Sequence, residues 1–417
     1  VSQNNHNTPN VTIDYFPLSP DHQANPYRLY AKARQESPVF YNPTLKLWTV
    51  TRYDDICEVL KNTTTFSNAN SFMVDLEMSP EVMDVLKQGY PDMPRPTLVD
   101  NNPPGHTRIR GLVNSVLTPA KIAALEKHIY TTANEIIDSW IDTGCVDIIS
   151  KFASPLPLLI IGDFFGIPRA DIEDVKKWCY DWLIIMSGGV PVEQHLECAR
   201  SFVKLQHYIA DILEQRQKHP QSDLLTDLLN ASFENEAPLN TPEIISLVMQ
   251  LVFAGHETTA NLLGNATVLL LQHPDQLQAI RENPDLAVNT VEEVMRYESP
   301  VPGLIRTTTE AVELGGVQLP KGARLQLLYA SGNRDHKHFP EPERFNIHSQ
   351  PTGRHLGFGG GIHYCVGAAL ARLEGRIAIE LLTQRLPNLR IVPEQEITYV
   401  PSIVIRGVTK FLIQWDV

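Results

Sequence analysis

The run Phe358-Gly359-Gly360-Gly361-Ile362-His363-Tyr364-Cys365-Val366-Gly367 constrains this chain more than any other feature. A glycine-rich loop delivers a lone cysteine to the start of a helix expected from Val366 to about Leu382. The thiolate, not the thiol, binds metal, and a helix N-terminus favours it through unpaired N–H groups and the macrodipole. The glycines let the backbone fold close to the sulfur and aim N–H groups at it. The plainer reading is a surface loop whose cysteine is a small apolar residue. That reading suits an isolated Cys-Val-Gly better than a ten-residue pattern.

A nucleotide-binding loop is excluded. The glycine spacing is not G-x-G-x-x-G, and no βαβ unit with a later acidic residue surrounds it. A single thiolate with no second cysteine nearby suits haem iron better than structural zinc or an iron–sulfur cluster. The other cysteines, Cys57, Cys145, Cys179 and Cys198, are scattered, form no C-x-x-C, and read as apolar fillers in a reducing compartment.

About a hundred residues upstream, Ala254-Gly255-His256-Glu257-Thr258-Thr259 lies inside a long apolar-periodic segment. Asn240 or Thr241 serves as its N-cap, with Pro242 in the first turn and Glu243 placed for a capping box with Asn240. It stops before Pro274. From Pro242 to Gln272 it spans roughly 46 Å, enough to cross a domain of this size. Its middle is weak in helix formers: Gly255 has no side chain, and Thr258 and Thr259 can bond back to carbonyls. Elsewhere, Glu293 and Arg296 share one helix face at i, i+3, and Arg344 follows in Pro342-Glu343-Arg344-Phe345. His106 and Arg110 share a face four residues apart, and Arg306 follows Val301-Pro302-Gly303-Leu304-Ile305.

These motifs, in this order, resemble the cytochrome P450 family, from about Tyr27 to Val417. The resemblance implies a mainly α fold with small β-sheets, a triangular-prism-like helical domain with a minor β-rich region. It implies haem b with Cys365 as axial thiolate and O2 as co-substrate. By resemblance, Phe358, Gly359, Gly367 and Ala254 also border the haem, and His106, Arg110, Arg306 and His363 meet its propionates. Glu257 relays protons, and Thr258 holds the hydrogen-bond network above the iron. Glu293, Arg296 and Arg344 match a structural cluster. The family pattern has an acidic residue where this chain has Gly105, a departure that touches loop geometry more than chemistry.

The implied function is O2-dependent insertion of one oxygen atom into a medium-sized lipophilic molecule. Electrons come from a separate ferredoxin or flavodoxin with its NAD(P)H reductase. Helical spacing puts Gln250 and Phe253 on the face leading to Thr258. With Val301, Pro302, Leu304, Ile403 and Val404 they form the expected substrate pocket. Residues 70 to 102, with Met73, Met78, Met83 and Met93, and the segment Trp182 to Pro191 read as substrate gates. The first is equally a short amphipathic helix after Ser79-Pro80. Arg108, Arg372 and Arg376 are candidate donor-docking cations, or else packing partners. A peroxygenase would replace the Glu257–Thr258 pair, and a haem gas sensor would need an output module that is not visible.

Bulk properties agree. The 417 residues are 43% hydrophobic and 20% charged, ordinary for a globular protein. Net charge is −13, which disfavours nucleic acid and anionic membranes as partners. No apolar run reaches the ~18 residues of a membrane span, and the polar start lacks a signal peptide's apolar region. The expectation is a cytoplasmic monomer, one haem domain over 1–417 with 1–26 as an extension. Strand-rich segments near 38–51, 304–328 and 403–414 should assemble one small sheet, and 333–345 should be an irregular connection.

Overall fold

The computed structural model describes residues 13–69, 71, 78–187, 190–349 and 354–417, without the side chains of 183, 186 and 187. A 32-residue helix, Thr241–Gln272, organises it and is called the central helix below. Its start is set by the expected capping box. The Asn240 side chain accepts from the Glu243 N–H, and the Glu243 carboxylate accepts from the Asn240 N–H, both at 3.0 Å. Two end-of-helix donors are thereby satisfied reciprocally. From Thr259 to Leu270 every residue is buried, so this half has no solvent face and runs through the core.

The central helix packs against helices Pro155–Phe165, Leu286–Tyr297 and Ala368–Arg385, the last called the cysteine helix. Leu262, Ala266, Val291, Val294, Phe358, Ala368 and Ile379 interlock where they meet. Burial of each large aliphatic side chain there contributes about 1.5–3 kcal/mol.

A five-stranded sheet flanks the helices in the order Val39–Asn42, Leu47–Val50, Arg324–Leu327, Leu304–Thr308, Phe66–Ser67. Leu47–Val50 runs parallel to Arg324–Leu327 with Trp48 opposite Leu325; the other pairs are antiparallel. The expected single sheet is corrected at the C-terminus. Only Leu412–Gln414 of the 403–414 stretch is a strand, and it joins Cys145–Asp147 and Arg390–Ile391 in a separate three-stranded sheet. Between Ser402 and Phe411 the chain makes bends, held by Ser402 Oγ accepting from Val404 and Ile405 N–H groups at 3.1 Å. A side-chain oxygen that captures backbone donors competes with ladder pairing. A two-stranded hairpin, Val312–Leu314 with Val317–Leu319, and an isolated antiparallel bridge between Tyr399 and Val408 make up the remaining β structure among the described residues.

Glu293 and Arg296 are both buried and bind as a fork, Nε to Oε2 at 2.8 Å and Nη2 to Oε1 at 2.7 Å. Arg296 also donates to the carbonyls of Asn333, Pro342 and Arg344, and Glu293 accepts the Asn346 N–H at 2.8 Å. The irregular 333–346 segment is thus tied to the Leu286–Tyr297 helix by charge-assisted bonds. Arg344 corrects its expected role. Its carbonyl joins the cluster, but its side chain is exposed and reaches only Glu341 at 3.4 Å. The Arg296 fork and the Asn346 N–H already give Glu293 its countercharge and three hydrogen bonds, so it does not depend on a second guanidinium.

Of the gate regions, the helix after Ser79-Pro80 is present as Pro80–Leu86, with Ser79 Oγ accepting from Val82. Met73 and the Gly188-Gly189 turn lie outside the described residues.

Candidate functional site

The Cys365 loop is built by turns that need glycine. Gly359 and Gly361 have φ of +68° and +63°, a region that side chains disfavour, and a Cβ on Gly361 would lie 2.3 Å from the Leu60 carbonyl oxygen. The Cys365 N–H closes the loop onto the Phe358 carbonyl at 2.9 Å. The cysteine helix begins at Ala368, two residues later than expected, with Gly367 as cap. The Gly367 and Ala368 N–H groups lie close enough to the sulfur to favour its anion, and the Ala368 N–H also reaches the Cys365 carbonyl at 3.4 Å.

Cys365 is an exposed residue, while its thiol is closely surrounded by protein. Burial raises its pKa, while those N–H bonds and the Arg110 and Arg372 charges pull it down. Arg372 lies 4.4 Å from the Phe358 ring centre and is held by Glu292 at 2.6 Å and by the Tyr364 hydroxyl.

Beside the loop lies an unsatisfied basic cradle. The His106 and His363 rings are 4.1 Å apart. His363 donates from Nδ1 to the Leu98 carbonyl at 3.0 Å, so in the neutral ring Nε2 carries the lone pair. His363 Nε2 and both His106 nitrogens are buried without a partner. Burial depresses both rings, His106 to about 4 and His363 to about 3, with Arg110 adding to each and Arg306 to His363. Buried polar nitrogens left without partners beside two arginines are costly. The permanent charges of Arg110 and Arg306 and the free His106 N–H suit the two carboxylates of haem, so these residues fit that group.

On the central helix, the Thr258 hydroxyl donates to the Ala254 carbonyl at 2.6 Å. Glu257 is largely buried; Asn261, one turn on, reaches its Oε1 at 3.5 Å. Burial raises the Glu257 pKa, partly offset by Asn261 and by the charge of Lys176. His256 Nε2 is 3.2 Å from Ser154 Oγ, and its Nδ1 is 3.9 Å from Glu257. The Asn261 and Ser154 contacts were not anticipated. Asn261 was available from i, i+4 spacing; Ser154 comes from a distant segment and leaves no local signal.

The expected pocket is partly corrected. Gln250 does not offer its amide to a ligand. Its oxygen accepts from Thr97 Oγ1 and from the Leu98 and Val99 N–H groups, and Nε2 reaches Asp100 at 3.5 Å. It ties the central helix to the 97–100 loop. Phe253 packs edge-on against Tyr180, with ring centres 6.0 Å apart. Val301 and Pro302 lead into the strand that starts at Leu304. Gln326 Nε2 binds the Ile403 carbonyl at 3.3 Å, which holds Ile403 and Val404 against that sheet. The candidate docking cations take the packing alternative. Arg108 pairs with Glu243 and the carbonyls of Ala237 and Pro238, and Arg372 with Glu292. Arg376 joins Glu126 and Glu380. Each is held by a partner within the fold.

The cradle and the acid–alcohol turn define a haem-binding oxidoreductase. Residues 180–398 match a protein-family model described as Cytochrome P450. The chain is 35% identical over 390 residues to cytochrome P450 107B1 of Saccharopolyspora erythraea, covering 92% of this chain and 94% of that protein. It is 32% identical to 6-deoxyerythronolide B hydroxylase of the same organism, across 94% and 96%. A solved cytochrome P450 from Chondromyces apiculatus has TM-score 0.86 at 34% identity, covering 96% of this chain and 97% of that one. The chain belongs to the cytochrome P450 family. It is a monooxygenase that uses haem b with cysteine thiolate ligation, O2, a lipophilic substrate and electrons from a redox partner. No helix among the described residues is long and apolar enough to cross a membrane.

Proposed function

We propose that Cys365 is the thiolate of this monooxygenase and that His106, His363, Arg110 and Arg306 hold the haem carboxylates. The three partnerless imidazole nitrogens beside the Cys365 loop carry the reading. When bound, haem supplies oxygen activation and oxidising power at a substrate C–H bond, with the thiolate favouring O–O cleavage. The chain supplies the rest. Gly367 and Ala368 N–H groups stabilise the sulfur as an anion. Arg372, stacked on Phe358, adds its positive charge to that stabilisation. Glu257 takes protons and passes them on, its raised pKa holding the proton to higher pH than an ordinary glutamate would. Asn261 orients that carboxyl. Thr258, anchored on Ala254, presents its oxygen as an acceptor in the same network. Retention of the Glu257–Thr258 pair argues against a peroxygenase.

The substrate is a medium-sized lipophile of terpenoid, fatty acid, steroid or polyketide type, bordered by Phe253, Val301, Pro302, Leu304, Ile403 and Val404. The named 6-deoxyerythronolide B hydroxylase supports this size class. The donor is a ferredoxin or flavodoxin with an NAD(P)H reductase. The enzyme works as a cytoplasmic monomer and as one haem domain over residues 1–417. The test is a spectral screen of such compounds followed by NAD(P)H-driven turnover. A compound that shifts the ferric spectrum and is oxygenated supports the reading. Spectral shifts with no oxygenated product under any donor system would overturn it.

A further inference from the structure

Behind the Cys365 loop, three separate segments meet at one carboxylate. Glu292 comes from the helix Leu286–Tyr297, Arg372 from the cysteine helix, and His355 from the stretch that leads into the loop. Glu292 holds Arg372 as a fork, Oε1 accepting from Nε at 2.6 Å and Oε2 from Nη2 at 3.0 Å. The same Oε2 lies 3.1 Å from His355 Nε2. The other ring nitrogen fixes the tautomer. Nδ1 accepts the Gly357 N–H at 3.1 Å, so in the neutral ring the proton sits on Nε2 and is donated to Glu292. Burial alone would raise the Glu292 pKa, but the His355 and Arg372 bonds hold it down to about 2. Glu292 is therefore an anion throughout the neutral range.

What this fork fixes is the position of a cation. Arg372 touches both flanks of Cys365. Its guanidinium lies on Phe358, and its Nη1 donates to the Tyr364 hydroxyl at 3.0 Å. The Phe358 carbonyl accepts the Cys365 N–H, and Tyr364 is the residue before Cys365. The Arg372 and Glu292 side chains are each 35% exposed, whereas that of His355 is 5% exposed. His355 thus supplies a buried tether for a half-buried ion pair. A cation held beside the sulfur favours the state of the thiolate-bound haem that carries one more electron.

We propose that His355 and Glu292 are positioning residues that set the haem reduction equilibrium by holding Arg372 against the Cys365 loop. The inference rests on Cys365 being the haem thiolate. Outer partners of a metal ligand commonly orient it and tune the metal in this way.

The test is the one-electron reduction equilibrium of substrate-free ferric holoenzyme, read by spectroelectrochemical titration. Arg372→Gln removes the cation and should lower the equilibrium constant for reduction about tenfold, which is about 59 mV for one electron. Two amides divide the roles of His355. Gln carries its NH2 at the level of Nε2 and can still donate to Glu292. Asn carries its oxygen at the level of Nδ1 and can accept only from Gly357. His355→Gln should stay within about twofold of wild type, and His355→Asn should fall about fivefold, less than removal of the cation itself. In the Arg372→Gln background, His355→Asn should change nothing further, because its effect runs through Arg372.

An unchanged equilibrium in Arg372→Gln overturns the proposal, and this partly exposed site decides even where a His355 variant loses haem. A loss in His355→Gln equal to that in His355→Asn also overturns it, since the ring would then serve only the turn at Gly357. So does a full His355→Asn effect in the absence of Arg372. The reduced CO complex keeps the two assignments apart. A wild-type protein without the red-shifted Soret band removes Cys365 as ligand and this inference with it. A normal band with unaltered equilibria removes this inference alone.

Discussion

The Thr258 hydroxyl donates to the Ala254 carbonyl four residues back, at 2.6 Å, across the same turn that carries Glu257. Its hydrogen is therefore committed within the helix, and its free lone pairs are what remain for a ligand network. Thr258→Ala removes those lone pairs and substitutes a better helix former. Haem content and folding should match wild type. Product per NAD(P)H should fall, with peroxide released instead. Unchanged coupling would remove Thr258 from the network.

Glu257→Gln keeps shape but cannot carry a proton. Burial raises the Glu257 pKa, so the wild-type carboxyl keeps its proton to higher pH than an ordinary glutamate. Turnover limited by that proton should decline as pH rises through the raised value, and the Gln variant should lose this limb while turning over ~10²-fold more slowly. Steady-state rates across pH, with substrate binding checked spectrally, decide it.

Cys365 differs from the other cysteines in its surroundings. Burial pushes Cys179 to about 12 and Cys198 to about 11, so both remain thiols. Only Cys365 has nearby backbone N–H groups, at Gly367 and Ala368, and two arginines, Arg110 and Arg372, that pull its pKa down. Cys365→His should abolish the red-shifted Soret band of the reduced CO complex, whereas Ala at 57, 145, 179 or 198 should keep it. A Cys365→His variant that retains the band would refute the assignment.

The Glu293 cluster separates two arginines that its motifs treat alike. Arg296→Ala leaves Glu293 buried without its countercharge and should cost about 3–5 kcal/mol. Arg344→Ala removes only an exposed side chain paired with Glu341 and should stay within about 0.5 kcal/mol. Denaturant titration of both holo variants tests this, and equal losses would contradict the geometry.

His256 makes the fold acid-sensitive. Burial, with Lys176 adding repulsion, lowers its pKa from 6.5 to about 4. The unfolded chain therefore binds the proton first, and stability is lost as pH falls from about 6.5 to about 4. The loss at pH 4 is at most about 3 kcal/mol, at 1.36 kcal/mol per unit. His256→Leu should flatten this part of the profile, measured as denaturation midpoints between pH 4 and 7. A parallel profile would place the acid sensitivity elsewhere.

Local chemistry explains what was readable from the chain. Asn240, Pro242 and Glu243 announce the central helix because a capping box is written in four consecutive residues. Val312–Leu314 and Arg324–Leu327 show strand composition directly. The cysteine loop and the acid–alcohol turn are short contiguous patterns, so they too are visible. What was missed depends on partners far apart. Gln250 faces a core side of the helix and reads as lining; only the fold reveals that the 97–100 loop consumes its amide. Arg344 sits in a recognisable motif, but whether a guanidinium or a carbonyl points inward is decided by Arg296. Ser402 bends the chain at 403–405, so that despite its Val and Ile content the stretch keeps only an isolated bridge, Val408 opposite Tyr399.

The parallel pairing of Leu47–Val50 with Arg324–Leu327 has a kinetic consequence. Arg34 likewise donates to the Ser331 hydroxyl and carbonyl, 297 residues away, at 3.0 Å. The sheet beside the cysteine loop therefore cannot close until the ribosome has released most of the chain. Closing so long a loop is entropically slow, and contacts of this separation form late. His106 and His363 come together on the same schedule, so haem capture is a late event in synthesis. During that interval Leu47–Val50 waits as an unpaired edge, the phase in which aggregation competes with maturation.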